Sequence, residues 1–223
     1  AYKGGHLKKL GVLCRMEQLE EKERWFLNRT LTDVLLPLPI VLFPIVGCGK
    51  HDDIVSLCDG LLLPGGDDAW PCYHDGHVCA FSRYYDAPMD LWELALIDAF
   101  VRAQRPILGI CRGMQMIQLY FKGELQPHFD VLHHQRDHVH RIHLSSRSWL
   151  HALMAPDAEV NSFHHQRIVT PQAQLRVDAT AEDGTIESFH HEDLPVYGVQ
   201  WHPELMHDDR ILPYFVSLIC GFV

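Results

Sequence analysis

The sequence lacks the features of a membrane-inserted or secreted protein. No apolar run reaches the roughly 18 residues that a membrane-spanning helix needs. Residues 1–10 carry no long apolar stretch, so we expect no signal peptide. Cysteine occurs seven times, and this odd count at irregular spacing does not indicate a disulfide framework. We therefore expect a cytoplasmic protein in a reducing compartment.

An excess of positive charge is also missing. The chain has 19 Lys and Arg residues against 29 Asp and Glu residues, which gives a formal net charge of −10. This balance argues against nucleic acid or an anionic membrane as the main partner. Internal repeats and linkers are absent as well, so 223 residues predict a single domain, 1–223. The oligomeric state stays open between a monomer and a homodimer.

The order of the patterns predicts an α/β fold. Short apolar runs alternate with helical patterns in the first half, which is typical of βαβ units around a parallel sheet. The expected strands are 9–14, 40–45, 60–63, 106–110, 135–144, 175–180, 185–190 and 196–201. The expected helices are 18–36, 53–58, 90–103, 114–121 and 209–220. Asp183-Gly184 is predicted to be a hairpin turn, and residues 70–87 a long loop.

The segment around Cys111 predicts a reactive thiol. A buried strand leads directly into Cys111-Arg112-Gly113 and then into a helix. A cysteine at such a turn lies at the sheet edge, where the helix N-terminus favours a thiolate. A buried structural cysteine at the end of a core strand is the alternative interpretation.

Two further motifs supply what a nucleophilic cysteine requires. His202 follows a late strand and Glu204 comes two residues later, as a base and its orienting carboxylate would. The glycines of Pro64-Gly65-Gly66 can offer backbone N–H groups to an oxyanion. Read alone, each motif could equally be an ordinary turn.

Together the motifs resemble class I glutamine-amidotransferase-like hydrolases, above all their γ-glutamyl-γ-aminobutyrate hydrolase (peptidase C26) branch. The segments that carry the resemblance are Leu61 to Asp68, Pro106 to Gln115, Val160 to Gln166, Asp183 to Glu187 and Tyr197 to Glu204. The resemblance implies a flavodoxin-like three-layer sandwich with a mostly parallel central sheet and β-hairpin additions in the C-terminal half. It also implies a hydrolase that cleaves a γ-glutamyl amide, needs no cofactor and takes a small-molecule substrate.

The resemblance assigns roles to individual positions. Cys111 would be the nucleophile, His202 the general base and acid, and Glu204 the group that orients His202. The backbone N–H groups of Gly66 and Arg112 would form the oxyanion hole. The residues implied to line the glutamyl pocket are Gly65, Gln115, Asn161, Ser162, Phe163 and His164.

Two other functions stay open at this stage. A glutaminase subunit that delivers ammonia to a separate synthase would use the same Cys111, His202 and Glu204. A non-enzymatic metal-binding protein on the same fold is suggested by the 17 histidines, several of them clustered over residues 133–143. That cluster has no cysteine pair or carboxylate triad at ligand spacing, so we expect no metal site.

Overall fold

A computed structural model describes residues 7–69, 86–126, 128–129 and 138–222. Its strands are β1 (Lys8–Leu13), β2 (Arg15–Leu19), β3 (Lys22–Phe26), β4 (Ile40–Ile45), β5 (Gly60–Leu63), β6 (Ile107–Ile110), β7 (His138–Leu144), β8 (Glu159–Ser162), β9 (Leu175–Ala181), β10 (Ile186–His191) and β11 (Val196–Val199). Its α-helices are α1 (Arg29–Leu35), α2 (His51–Leu57), α3 (Ala87–Arg102), α4 (Arg112–Tyr120) and α5 (Ile211–Cys220). Within these residues, no helix is both long and apolar enough to cross a membrane.

One sheet organises the described part of the chain. Its nine strands lie in the order β4-β1-β5-β6-β11-β10-β9-β7-β8. Across the sheet, the neighbouring strands β4, β1, β5, β6 and β11 pair in parallel. The neighbouring strands β11, β10, β9, β7 and β8 pair antiparallel. The antiparallel strands are the additions expected in the C-terminal half, and the α/β prediction is confirmed. Whether the whole chain is one domain stays a prediction.

Helices cover both faces of this sheet and enclose two apolar cores. One core joins Leu61 and Leu63 of β5 to side chains of α3 and α4, such as Phe100 and Met114. The other joins Leu62 of the same strand to side chains of α1 and α5. Successive side chains of a strand point to opposite faces, so β5 contributes to both cores. This double burial explains why β5 reads as a continuous apolar run.

The helix predicted over 18–36 is wrong. The structure has the hairpin β2–β3 and then the short helix α1. Glu17 and Arg24 face each other across the hairpin, with a 2.6 Å ion pair between Glu17 Oε2 and Arg24 Nη2, and Glu20 turns the chain with a φ of 51°. The apparent helical spacing combined residues of β3 with Leu31 and Leu35, which are the buried residues of α1. The pattern therefore merged two elements into one.

Other boundaries agree closely with the sequence-based expectation. β4 and β5 begin and end where they were predicted, and the turn between β9 and β10 has Gly184 at a φ of 81°. The strand β8 was not predicted. The loop expected over residues 70–87 lies, up to residue 85, outside the described residues.

Candidate active site

Three segments meet at one edge of the sheet. The neighbouring strands β5, β6 and β11 run parallel, so their carboxyl ends lie side by side. Pro64-Gly65-Gly66 follows β5, Cys111 follows β6, and His202 lies just beyond β11. The structure thus brings together the three motifs that the sequence analysis singled out.

Cys111 occupies a strained turn between β6 and α4. Its backbone has a φ of 51° and a ψ of −109°, a combination that non-glycine residues rarely adopt. The turn packs tightly against β5, because a Cβ on Gly113 would lie 2.1 Å from the carbonyl oxygen of Leu63. The Cys111 side chain is buried, and its Sγ lies 3.9 Å from the carbonyl oxygen of Phe163. This is the geometry of a nucleophile elbow.

His202 is held between a carboxylate and the Cys111 thiol. Its Nδ1 lies 2.8 Å from Oε1 of Glu204. Gly65 packs directly on the ring, since a Cβ there would lie 2.7 Å from His202 Cε1. The other ring nitrogen, Nε2, is buried and has no hydrogen-bond partner among the described residues. The imidazole is therefore oriented through Nδ1, while Nε2 stays available for chemistry.

The charges around His202 favour its protonated form. Burial lowers the pKa of the imidazole, but its electrostatic interaction with Cys111 and the hydrogen-bonded Glu204 carboxylate raise it to about 10. His202 therefore keeps its proton at neutral pH. A protonated imidazole beside a thiol can donate its proton to a leaving group.

Asn161 clamps the backbone of His202. Its Oδ1 accepts a hydrogen bond from the His202 backbone N–H at 2.8 Å, and its Nδ2 donates to the His202 carbonyl oxygen at 2.7 Å. Asn161 belongs to β8, the edge strand that was not predicted. The family resemblance implied a place for Asn161 in the glutamyl pocket, whereas both ends of its amide contact His202.

The remaining predicted pocket residues differ in their exposure. Phe163 is 53% exposed, whereas Ser162 is buried. Gln115 is buried and donates from Nε2 to the carbonyl oxygen of Gln166 and to Oε1 of Gln200, each at 3.2 Å. Of these three side chains, Phe163 alone is exposed.

A buried carboxylate lies behind this segment. Glu187 is fully buried, and its Oε1 lies 3.2 Å from His140 Nε2 and 3.8 Å from His164 Nε2. Burial raises the pKa of Glu187, but hydrogen bonding and charge interactions with the two histidines lower it to about 2. His164 also bonds through Nδ1 to the Gln166 carbonyl oxygen at 2.9 Å. His164, which was predicted to line the glutamyl pocket, thus lies beside a carboxylate that is charged at neutral pH.

The two residues predicted to supply the oxyanion donors lie close together. A Cβ on Gly66 would lie 3.2 Å from Cδ of Arg112. Arg112 is the first residue of α4, so its backbone N–H belongs to the helix end that lacks intrahelical acceptors. Its side chain turns inward and pairs with Asp90 and Glu93 of α3, both of them buried. Only the backbone of Arg112 is therefore in a position to act on a substrate.

The second cation that pairs with Glu93 was not predicted from the sequence. Arg15, at the start of β2, lies 2.7 Å through Nη1 from Oε2 of Glu93. A signal was present, because Asp90 and Glu93 interrupt the apolar face that Ile97 and Phe100 continue along α3. Buried carboxylates need cationic partners, but the pattern does not say which residues supply them.

Two histidines of the cluster contact carboxylates. His140 contacts Glu187 as above, and His143 Nδ1 lies 2.7 Å from Oδ1 of Asp157. His133 and His134 lie outside the described residues. Within the described ranges, no group of three or more His, Cys, Asp or Glu side chains is arranged to hold a metal ion.

The family model of Peptidase C26 matches residues 14–204 of this chain. The chain belongs to the peptidase C26 family. Among its relatives, NtpR of Enterococcus hirae is 32% identical over 200 residues, which cover 81% of this chain and 82% of that protein. A glutamine amidotransferase-like protein of Lactococcus lactis, YvdE, is 31% identical over 74% of each chain.

Solved structures show the same fold. The crystal structure of a glutamine amidotransferase from Thermotoga maritima matches with a TM-score of 0.66 at 14% identity, over 97% of this chain and 95% of that one. A candidate GMP synthase component from Thermoplasma acidophilum matches with a TM-score of 0.72 at 18% identity, over 98% of this chain and 97% of that one. The fold is thus that of the glutamine amidotransferases, and the family makes this chain a glutamine-amidotransferase-like hydrolase.

Proposed function

We propose that this protein is a cysteine hydrolase that cleaves a γ-glutamyl amide, such as γ-glutamyl-γ-aminobutyrate or a related γ-glutamyl amine. The observation that carries the proposal is the arrangement around His202. Its Nδ1 lies 2.8 Å from Glu204 Oε1, its Nε2 is unoccupied among the described residues, and Cys111 raises its pKa. Glu204 orients the base, and Cys111 is the nucleophile.

The first half-reaction forms a thioester. The Cys111 thiolate attacks the γ-carbonyl carbon, and the electron pair of the C=O bond moves onto oxygen. The N–H groups of Gly66 and Arg112 stabilise this oxyanion. When the tetrahedral intermediate collapses, the C–N bond breaks and the His202 imidazolium donates its proton to the departing amine.

The second half-reaction consumes one water. Neutral His202 accepts a proton from the water as the oxygen attacks the thioester carbon. The C–S bond then breaks, and Cys111 leaves as a thiolate while His202 keeps the proton. Glutamate is released, and the starting ion pair is restored.

The substrate is a small molecule in this proposal, and the compartment is the cytoplasm. The described cysteines support a reducing environment, because all five are free: Cys14, Cys48, Cys58, Cys111 and Cys220.

A panel of γ-glutamyl amides, with glutamate release as the readout, tests the proposal. The purified protein should release glutamate from at least one γ-glutamyl amine without a partner, and Cys111→Ala should abolish release. Intact mass spectrometry after rapid acid quench should detect a glutamyl adduct on the wild type but not on Cys111→Ala. Cys58→Ala, which removes another buried thiol, is the matched control and should retain activity.

The same panel separates the glutaminase alternative. Glutamine hydrolysis that appears only after a synthase is added would contradict a stand-alone hydrolase. Full activity in Cys111→Ala would overturn the proposed nucleophile.

A further inference from the structure

The loop that carries one proposed oxyanion donor has little rigidity of its own. Gly65 and Gly66 follow Pro64, and neither glycine has a side chain to restrict its backbone. The carbonyl of Gly65 and the N–H of Gly66 belong to one peptide group, in which they point in opposite directions. Rotation of that single peptide group would replace the donor by a carbonyl oxygen. Something outside the loop must therefore fix its orientation.

Arg15 makes the contact that fixes it. Its Nε donates to the Gly65 carbonyl oxygen at 3.0 Å, and its Nη2 donates to the Pro64 carbonyl oxygen. The Arg15 side chain is 11% exposed, so water offers little competition for these bonds. Because the Gly65 carbonyl points toward Arg15, the Gly66 N–H points away from it.

One carboxylate connects this contact to the other donor. Glu93 Oε2 accepts from Arg15 Nη1 and also from Arg112 Nη1. Arg112 follows the Cys111 nucleophile, and its second terminal nitrogen pairs with Asp90. The two arginines and the two carboxylates thus form one charge-balanced group. This group connects the loop after β5 to the first residue of α4. The hairpin β2–β3 therefore contributes to the site through its first residue.

We propose that Arg15 is a positioning residue that holds the Gly65–Gly66 peptide with its N–H directed to the oxyanion. The inference rests on the proposed function and adds a residue to it. Arginine suits the task because its planar guanidinium offers several N–H donors in fixed directions. It contacts two carbonyl oxygens and a carboxylate at once, whereas the ammonium of lysine is a compact point charge on a flexible stem.

Two substitutions test the proposal. Arg15→Lys keeps a positive charge opposite Glu93 and is expected to fold, whereas Arg15→Met removes both the charge and the donors. We expect Arg15→Met to lower kcat about 10²-fold, the usual cost of losing one oxyanion donor. Arg15→Lys should lower it by roughly 10-fold or more, with KM nearly unchanged. Should Arg15→Met not fold, Arg15→Lys carries the test alone.

Two further readouts distinguish positioning from general support of the fold. Alkylation of Cys111 by iodoacetamide develops no oxyanion, so its rate should stay at the wild-type value in Arg15→Lys. The γ-aldehyde analogue of glutamate adds to the thiol as a hemithioacetal with an oxyanion-like oxygen, so its affinity should fall by the same factor as kcat. Arg24→Met is the matched control, since Arg24 lies in the same hairpin and pairs only with exposed Glu17 among the ion pairs described.

The outcomes separate this inference from the proposed function. Wild-type protein that releases no glutamate from any γ-glutamyl amide overturns both. An active wild type with unchanged kcat in both Arg15 variants overturns the inference alone. Equal losses of alkylation rate and kcat in Arg15→Lys would also overturn it, because they would indicate general disruption of the site.

Discussion

Asn161→Ala should slow the proposed reaction while leaving substrate binding nearly intact. The Asn161 amide bonds the backbone N–H of His202 at 2.8 Å and its carbonyl oxygen at 2.7 Å. Pro203 follows directly and limits the backbone on the other side. Loss of the amide therefore frees the residue that carries the proposed base, and leaves Cys111 in place.

The size of the effect follows from the two bonds. Each neutral hydrogen bond contributes about 1 kcal/mol net, so the free energy of unfolding should fall by about 2 kcal/mol. Both residues are partly buried, so water can replace only part of what is lost. A base displaced by about 1 Å can cost up to 10²-fold in rate, so we expect kcat to fall between roughly 10-fold and 10²-fold.

The assay compares Asn161→Ala with Asn28→Ala, which changes the only other asparagine of the chain. Asn28 precedes α1, and its side chain makes no capping hydrogen bond. Urea unfolding gives the stability difference, and glutamate release at varied substrate concentration gives kcat and KM. Asn28→Ala should match the wild type in all three quantities.

The split between kcat and KM decides the role of Asn161. A raised KM at unchanged kcat would mean that Asn161 contacts substrate, as the family resemblance implied, and would refute the clamp. Stability and kinetics equal to those of Asn28→Ala would refute it as well.

Three further predictions concern the same edge of the sheet. His202→Ala should lower kcat by roughly 10³-fold or more while Cys111 stays intact, as measured by glutamate release and intact mass. Because the pKa of His202 is raised to about 10, the native state keeps this proton to a higher pH than the unfolded chain does, so the free energy of unfolding should fall as pH rises from about 6.5 toward 10. Urea unfolding of Glu204→Gln between those pH limits should show a shallower fall. A slope equal to that of the wild type would contradict the assignment. Gly113→Ala should lower the free energy of unfolding by about 1–3 kcal/mol and reduce activity, because its Cβ would meet the Leu63 carbonyl. Gly184→Ala lies at a positive φ with open space around it, so it should lower stability and leave activity unchanged.

The parallel strands were predictable because their burial leaves a simple mark on the sequence. β5 is buried along its whole length, and its apolar run begins at a glycine and stops at Pro64. The hairpin β2–β3 leaves no such mark, because most of its residues are exposed and its strands hold each other through cross-strand pairs. Charged residues that favour a helix locally can form such a hairpin when long-range contacts decide.

The candidate site divides in the same way. Cys111, His202 and Glu204 could be proposed from the sequence because each stands in a short motif beside a recognisable strand. The contacts of Arg15 and Asn161 were not predicted, because each joins residues that lie far apart in the sequence. Arg15 contacts Glu93, 78 residues away, and Asn161 contacts His202, 41 residues away. Short motifs in the sequence indicate the candidate catalytic residues, but the residues that support them become adjacent only in the folded sheet.

The buried charges also explain what the arginine after the nucleophile does. Its guanidinium is taken up by Asp90 and Glu93, so it cannot serve as a cation for substrate. An apolar residue at position 112 would leave two buried carboxylates with Arg15 as their one described cation, which is costly in a protein interior. Arg112, Asp90, Glu93 and Arg15 therefore form a set whose members depend on one another. The Arg112 side chain thus supports, through Glu93 and Arg15, the loop that carries the proposed oxyanion donor.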